Sequence, residues 1–254
     1  CGRDEVKLMD LNNMQSRTIV QDEIWGFQNS DPGFSPDGGY VIFTAIRNFE
    51  QDIFVHHIKD NKTTNITNTG INESGPVWSP DGKFLFYTSQ RFKPSYPFGM
   101  QQARVYRLPL EKLDEPYRID KFNELFREEK KDTGRKTPAA DTLRSVTIDT
   151  DLIMERPEQV SPSVGAQFLQ WVYSKGDKTT VLYTSNQGDA RNALWKTIIE
   201  PFEQNKTEKI AGTDNSSGFD VVEVSDKLYV LFGGNIHKLN LEGNKVEPVN
   251  ISYT

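Results

Sequence analysis

Cysteine, histidine and long apolar runs are scarce in this chain of 254 residues. A single cysteine, Cys1, leaves no intrachain disulfide to stabilise the fold. Of the three histidines, His56 and His57 are adjacent on a predicted strand and so point to opposite faces, while His237 lies on another strand. No apolar run approaches the roughly 18 to 20 residues that cross a bilayer. The sequence therefore predicts no metal site, no cofactor and no transmembrane span.

An excess of basic residues is also lacking. The chain has 30 lysines and arginines against 36 aspartates and glutamates, for a net charge of −6, so there is no basic stripe to bind the phosphates of a nucleic acid. A Gly-x-Ser-x-Gly elbow, a glycine-rich phosphate loop and the spacing of a calcium loop are missing too. These absences predict that the chain alone has no catalytic residues and is not an enzyme.

Two segments of the chain have nearly the same sequence: FSPDGGYVIFT (Phe34–Thr44) and WSPDGKFLFYT (Trp78–Thr88). Asp81 follows Asp37 by 44 residues, a spacing typical of the four-stranded blades of a β-propeller. After each Ser-Pro-Asp-Gly, residues that favour strands recur at every second position, which indicates a strand. The predicted fold class is all-β: a β-propeller of four-stranded antiparallel blades, part of a six- or seven-bladed ring.

The Ser-Pro-Asp-Gly segments predict tight hairpin turns. Pro36 and Pro80 preset φ for a turn, and the carboxylates of Asp37 and Asp81 can accept hydrogen bonds from their own backbone. The glycine that follows can adopt a positive φ that other residues reach only at a cost. The alternative, that the two aspartates are paired catalytic acids, would need them in one cleft, whereas repeat units place them on different blades.

Weaker copies of the repeat complete the predicted blades. The predicted third strands are Val6–Leu11, Ile53–Ile58, Val105–Leu110, Leu194–Ile199 and Ile236–Leu241. The predicted outer strands are Arg17–Val20, Thr64–Ile66, Tyr117–Ile119 and Glu208–Ile210. One domain over residues 1–254 results, with a partial blade at 4–20 and blades at 24–67, 75–119, 166–210 and 218–254.

One segment, residues 121–159, does not follow the repeat and is predicted to be an insertion. Phe122, Leu125 and Phe126 have helical spacing, which predicts a short helix that caps the propeller. The charges of both signs that follow favour a solvated loop. A loop at the rim of a propeller can also be a lid or a contact with a partner.

Large aromatic residues recur at similar positions in the predicted blades. They are Trp25, Phe34, Trp78, Trp171 and Trp195. We expect them to fill the wedge between neighbouring sheets, because burial between blades holds a propeller together. The alternative is stacking against sugars, which would require the indole rings to lie on a rim.

The order of three segments resembles the propeller region of tricorn protease and its bacterial homologues. These segments are VYRLPLEKLDEPYRID (Val105–Asp120), SVTIDTDLIMERPEQVSPSVG (Ser145–Gly165) and a degenerate last blade that ends NISYT. The resemblance covers roughly residues 4–250. The Ser-Pro-Asp-Gly hairpins alone are similar also to those of TolB and of prolyl oligopeptidase-like enzymes.

The resemblance implies different roles for the different domains of a tricorn-like protease. In tricorn-like proteases, two propellers precede a helical segment, a PDZ domain and a catalytic core with a serine nucleophile and its histidine. This chain resembles only the later part of the second propeller, so no catalytic residue carries over. The resemblance implies a non-catalytic β-propeller domain of a tricorn-like serine protease that gates or channels peptides to the protease core. Its partners would be peptides and the remaining domains of the larger protease.

Binding is expected where each innermost strand begins, because polar loops there would surround the axial opening. The candidate residues are Asp31, Glu73 and Ser74. The alternative function is a stand-alone TolB-like propeller scaffold that binds protein partners in the bacterial envelope, for which a lipid-modified Cys1 would be evidence. The predicted location is the periplasm or cell envelope, with the cytoplasm as the alternative.

Overall fold

The computed structural model describes residues 5–21, 32–47, 49–94, 102–112, 145–188, 191–216 and 218–249. Within these ranges the chain forms strands β1 to β18 and one short 3-10 helix, Ile153–Glu155. The strands build a two-stranded sheet and then four sheets of four strands each. Below, these four are called the first to the fourth sheet in chain order.

Each sheet is an antiparallel meander in which consecutive strands pair. The two-stranded sheet contains β1 (Glu5–Asp10) and β2 (Gln15–Gln21). The first sheet contains β3 (Gly33–Phe34), β4 (Tyr40–Arg47), β5 (Glu50–His57) and β6 (Lys62–Asn65). The second contains β7 (Glu73–Trp78), β8 (Phe84–Ser89), β9 (Arg104–Pro109) and β10 (Glu158–Gln159). The third contains β11 (Gln167–Lys175), β12 (Lys178–Ser185), β13 (Ala193–Ile199) and β14 (Lys206–Lys209). The fourth contains β15 (Asp220–Val224), β16 (Lys227–Phe232), β17 (Asn235–Asn240) and β18 (Lys245–Pro248).

The Ser-Pro-Asp-Gly segments form the predicted turns between the first two strands of the first and second sheets. In the second sheet, the Ser79 hydroxyl donates to Asp81 Oδ1 (2.6 Å) and accepts from the backbone N–H of Phe84 (2.9 Å). Gly82 has a φ of +70°. The first sheet repeats these features with Ser35, Asp37, Tyr40 and Gly38. In both turns the aspartate therefore acts as an acceptor within the turn.

Successive side chains along the second strand of an inner sheet point to opposite faces, so each inner sheet packs against two neighbouring sheets. In β8, Leu85 and Tyr87 are buried against the first sheet, whereas Phe86 is buried against the third. In β12, Tyr183 faces the second sheet and Leu182 faces the fourth. Four hydrophobic clusters thus join the five sheets in chain order. This is how the blades of a propeller stack.

The outer strand of the second sheet follows a long connection. Strand β10, Glu158–Gln159, pairs with β9 and lies at the end of residues 121–159, which the sequence predicted to be an insertion. Tyr117–Ile119, the predicted outer strand, lies outside the described residues, as do Phe122, Leu125 and Phe126. The second sheet is therefore completed by residues that follow the connection.

The predicted wedge role of the aromatic residues is correct for three tryptophans. Trp78 is buried between the first and second sheets, and Trp171 and Trp195 pack against the clusters on the two faces of the third sheet. The prediction is wrong for Phe34, which is 58% exposed because β3 has only two residues at the edge of its sheet. Trp25 lies outside the described residues.

We expect Gly82→Ala to destabilise the protein more than Gly38→Ala. Both glycines have a φ near +70°, which costs an L-residue about 1 kcal/mol. A Cβ at Gly82 would lie 2.7 Å from Val146 Cγ2, whereas one at Gly38 would meet no described atom within 4 Å. Urea denaturation should show a loss of about 1 kcal/mol for Gly38→Ala and roughly 1 to 2 kcal/mol more for Gly82→Ala. Equal losses would show that Val146 moves aside freely.

Candidate functional site

The candidate site lies where the innermost strand of the second sheet begins. Strand β7 starts at Glu73, which pairs with Ser89 at the end of β8. Ser74 follows and pairs with Thr88. The third predicted residue, Asp31, lies outside the described residues. The structure therefore shows the surroundings of two of the three candidates.

The carboxyl group of Glu73 is fully buried. Its Oε1 accepts hydrogen bonds from Thr69 Oγ1 (2.9 Å) and Ser89 Oγ (3.3 Å), while its Oε2 has no hydrogen-bond partner in the described part of the chain. Burial raises the pKa of Glu73 to about 8, with a further contribution from the nearby carboxylate of Asp52, and the hydrogen bonds offset only part of this rise. At neutral pH, Glu73 is therefore mainly protonated and uncharged.

Glutamine occupies the same position in the third sheet. Gln167 begins β11 as Glu73 begins β7, and each pairs with a serine at the end of the neighbouring strand. The Nε2 of Gln167 donates to the carbonyl oxygens of Pro162 (2.6 Å) and Val164 (2.9 Å) in the preceding loop, just as Glu73 contacts Thr69 in its own preceding loop. In both sheets an uncharged side chain ties this loop to the innermost strand.

Buried hydroxyl groups tie the same loops to the third strands. In three sheets a backbone N–H of the third strand donates to a buried hydroxyl in the loop after the outer strand. The pairs are Ile53 and Thr67 (2.9 Å), Val105 and Ser161 (3.0 Å), and Leu194 and Thr213 (3.0 Å). Thr67 Oγ1 in turn donates to Asp52 Oδ1 (3.1 Å). Many polar groups of these loops are therefore engaged by the backbone of the protein itself.

Ser74 is the described candidate that is partly exposed. A β-bulge lies between Ser74 and Val77. At Gly75, where φ is +57°, an added Cβ would lie 3.9 Å from the carbonyl oxygen of Leu169 on β11. The bulge therefore brings β7 close to the innermost strand of the third sheet, beside the partly exposed Ser74.

The adjacent histidines lie on opposite faces of β5, as predicted. His56 is fully buried, with its Nδ1 3.0 Å from Thr63 Oγ1, and burial lowers its pKa. On the other face, His57 Nδ1 lies 2.7 Å from Asp60 Oδ2, and its ring stacks on Tyr40 with centroids 4.5 Å apart. His56 is thus out of reach of a substrate, and His57 is held by neighbours on its own sheet.

A cavity of about 470 Å³ lies between the third and fourth sheets, at the opposite end of the strands from Glu73 and Gln167. At its wall, Lys196 forms an ion pair with Glu208 (3.0 Å) and donates to the carbonyl oxygen of Leu241 (2.6 Å). Among the described residues, no group of three or more histidine, cysteine, aspartate and glutamate side chains could hold a metal ion. In that same part of the chain, no helix has the length and apolar character to cross a membrane.

Comparison with known proteins agrees with this arrangement of sheets. Residues 2–112, less than half of the chain, match the family model of the TolB beta propeller domain, PD40. The crystal structure of the tricorn protease superimposes with a TM-score of 0.62 at 14% identity, over 95% of this chain. The chain has a β-propeller fold. This confirms the predicted fold class, while the number of blades in the ring stays a prediction.

Other solved structures share the fold. TolB from Acinetobacter baumannii has a TM-score of 0.50 at 16% identity over 96% of this chain. A puromycin-hydrolyzing peptidase of Mycobacterium tuberculosis has a TM-score of 0.58 at 11% identity over 99% of it. The chain spans 24% of the tricorn protease chain, 50% of the TolB chain and 36% of the peptidase chain. A comparison with curated protein sequences found no match.

The equivalence of Glu73 and Gln167 was not predicted from the sequence. The two sheets cannot be aligned by their hairpins, because Ser174-Lys175-Gly176-Asp177 replaces Ser-Pro-Asp-Gly in the third sheet. A signal was nevertheless present, since the second strands of both sheets end in Tyr-Thr-Ser, at residues 87–89 and 183–185. The serines of these triplets are the partners of Glu73 and Gln167.

We expect Glu73→Gln to remove a pH dependence of stability. Because the pKa of Glu73 is about 8 in the folded protein and about 4.3 in an unfolded chain, the unfolded state loses this proton first. The free energy of unfolding should therefore fall as pH rises from about 4.5 to 8 and level off above, by on the order of a few kcal/mol. Urea denaturation across this range measures the slope.

The matched control is Glu203→Gln, which removes an exposed carboxylate in the turn between β13 and β14. It should keep the slope of the unmodified protein, whereas Glu73→Gln should flatten it. A Glu73→Gln variant with an unchanged slope would mean that Glu73 is ionised in the fold at neutral pH.

Proposed function

We propose that this chain is a non-catalytic β-propeller domain of a tricorn-like serine protease, and that it guides peptides to or from the protease core. The observation that carries the proposal is the superposition on the tricorn protease, which includes 95% of this chain but only 24% of the tricorn chain. A propeller that forms one part of a larger peptidase can act on substrates through its shape while the chemistry lies elsewhere.

The geometry of the loops before the innermost strands supports a role through shape. Glu73 and Gln167 are buried and bound to their own loops, so they fix the loop conformation. In the proposal, Ser74 and Asp31 contact the passing peptide, and Glu73 positions the loop that precedes Ser74 and β7. We expect peptides to bind this rim weakly, because the loop hydroxyls of Thr67, Ser161 and Thr213 already accept hydrogen bonds from the third strands.

The intact mass of the protein expressed from its native gene is the first test. A mass several times larger than 29.0 kDa, with a serine peptidase core, supports the proposal. A mass near this value refutes it, because there would then be no core to which peptides could be guided.

Substitution of Ser74 tests the guiding role in that protein. We expect Ser74→Trp to lower kcat/KM for long unfolded peptides by about tenfold or more, because the indole would narrow the entrance, while leaving tripeptide hydrolysis unchanged. Glu203→Trp, on the exposed turn at the opposite end of the strands, is the control. Equal effects of Ser74→Trp on long and short substrates would contradict a role in guiding peptides.

A second candidate function is a TolB-like scaffold that binds protein partners in the bacterial envelope. The match of residues 2–112 to the TolB propeller model favours it. A native mass near 29.0 kDa, or one raised by an acyl group on Cys1, would support this function. In that case the periplasm or envelope is the expected location, whereas a cytoplasmic location would favour the protease domain.

A further inference from the structure

A buried arginine lies in the same row of residues as the candidate site. Ser89, at the end of β8, pairs with Glu73 on one side and with Arg104, the first residue of β9, on the other. Arg104 is only 3% exposed. Its Nη1 donates to the carbonyl oxygens of Ala103 (2.8 Å) and Gly165, while its Nε has no hydrogen-bond partner in the described part of the chain. Its polar contacts there are thus with neutral groups, although a buried charge is costly without an opposite charge.

The loops at this end of the second sheet contain no aspartate or glutamate. They are residues 66–72, 90–103 and 160–166. Two cations, Arg91 and Lys93, lie in the second of these loops, and Glu73, which follows the first, is mainly protonated at neutral pH. Burial lowers the pKa of Arg104, as expected where no neighbouring carboxylate offsets the burial, yet an arginine stays charged at neutral pH. This end of the sheet is therefore locally positive in a chain with a net charge of −6.

The equivalent positions of the neighbouring sheets show that the fold does not require this charge. In each of the first three sheets the position precedes the third-strand residue whose N–H donates to a loop hydroxyl, and it is occupied by Asp52, Arg104 and Ala193. Ala193 is fully buried and pairs with a serine at the end of the second strand, as Arg104 does. The carboxylate of Asp52 accepts from Asn65 Nδ2 (2.9 Å) and Thr67 Oγ1 (3.1 Å), one bond at each oxygen. Of the three residues, only Arg104 has a charged group with a buried N–H left unpaired among the described residues.

The contact of Arg104 that reaches solvent is with Phe92. The guanidinium carbon lies 4.8 Å from the centroid of the Phe92 ring, and Phe92 is 48% exposed. Lys93, the next residue, is exposed. Arg91 is exposed as well, and its Nη2 donates to the carbonyl oxygen of Met154 (2.8 Å). An anion that approaches beside Phe92 therefore meets two cations at the surface and a third beneath the ring.

We propose that Arg104, Lys93 and Phe92 form a binding site for the carboxylate of an acidic side chain in a peptide. This inference rests on the proposed function, in which peptides pass this end of the strands. A carboxylate supplies the charge of opposite sign that Arg104 lacks, and charge-assisted hydrogen bonds to arginine and lysine are stronger than those between neutral groups. The exposed ring of Phe92 contacts the aliphatic carbons of a glutamate. Peptides rich in glutamate or aspartate are therefore preferred over neutral and basic peptides.

The position of the site at the surface sets how its affinity depends on salt. Lys93 and Phe92 are exposed, so dissolved ions screen the attraction between the cations and the carboxylate. Affinity should fall steeply between roughly 50 and 500 mM sodium chloride. A purely apolar contact with Phe92 would not weaken in this way, because salt does not screen it.

Fluorescence anisotropy of a short peptide of alternating alanine and glutamate tests the proposal. The peptide carries an uncharged dye at its N-terminus and an amide at its C-terminus, so its side chains supply its only charges. A second peptide has glutamine in place of each glutamate. We expect the glutamate peptide to bind about tenfold more tightly or better. Arg104→Ala, which introduces the residue of the third sheet, should weaken this binding by about tenfold or more and leave the glutamine peptide unaffected.

The matched control is Lys62→Ala, which removes an exposed lysine of β6 and changes the net charge by the same amount. This variant should bind both peptides like the unmodified protein. Circular dichroism confirms that each variant is folded. Lys93→Ala, which should weaken binding of the glutamate peptide by about threefold, replaces Arg104→Ala should that variant unfold.

Three results would overturn the proposal. The first is equal binding of the two peptides, or no binding of either at up to roughly 1 mM protein, because no carboxylate would then be recognised. The second is a preference for glutamate that Arg104→Ala leaves intact, since another cation would then bind it. The third is an equal loss in Arg104→Ala and Lys62→Ala, which would indicate a general effect of net charge.

Failure of this inference can be distinguished from failure of the proposed function, because peptide binding is measured on the propeller itself. A native mass near 29.0 kDa would refute the guiding role and leave a preference for acidic peptides in place. A larger native mass without such a preference would refute this inference alone.

Discussion

Burial of both faces of each sheet is the constraint on which this structure depends. Alternate side chains of a strand point to opposite faces of the sheet. A single sheet cannot bury either of its own faces, so an inner sheet needs a neighbouring sheet on each side. Leu85 and Phe86, adjacent on β8, are therefore buried in two different interfaces, one with the preceding sheet and one with the following sheet. The stacking of sheets in chain order follows from this alternation.

Stacking in this way leaves some backbone groups, both on the third strands and in the loops between sheets, that no neighbouring strand satisfies. Buried hydroxyls in the loops, such as those of Thr67 and Ser161, form hydrogen bonds with some of these groups. In the second and third sheets, one uncharged side chain at the start of the innermost strand has the same role, as Gln167 does in the third. Glu73 meets part of the same requirement, because it accepts two hydrogen bonds at Oε1 and keeps its proton, while its Oε2 has no partner among the described residues. Burying a polar group costs little free energy when the group is hydrogen-bonded and uncharged, and much more otherwise. The polar groups of these loops thus serve the fold, because they form hydrogen bonds within the protein. Fewer of them are therefore available to bind a ligand.

The fold could be predicted from the sequence because the features that indicate it lie within short segments of the chain. The Ser-Pro-Asp-Gly turns depend on contacts within six residues, such as Ser79 with Asp81 and Phe84, and alternation within β5 and β9 was equally visible. The outer strand β10 was not, since it pairs with β9 only after a long connection. The place of Glu73 at the start of an innermost strand could be predicted, but its burial could not. Glu73 is polar, and nothing in its neighbours along the chain shows that Thr69 and Ser89 enclose it.

The linear succession of interfaces has a consequence for how stability is distributed. Among the described residues, the hydrophobic clusters join each sheet only to its neighbours, so cohesion there is a sum of nearest-neighbour terms, as in repeat proteins. Within the described residues, the first three four-stranded sheets each share two interfaces, whereas the fourth sheet and the two-stranded sheet each share one. Local opening is easiest where fewest terms must be broken. Amide protons of β1, β2 and β15 to β18 should therefore exchange with solvent by local opening of these two sheets while the sheets between them remain closed.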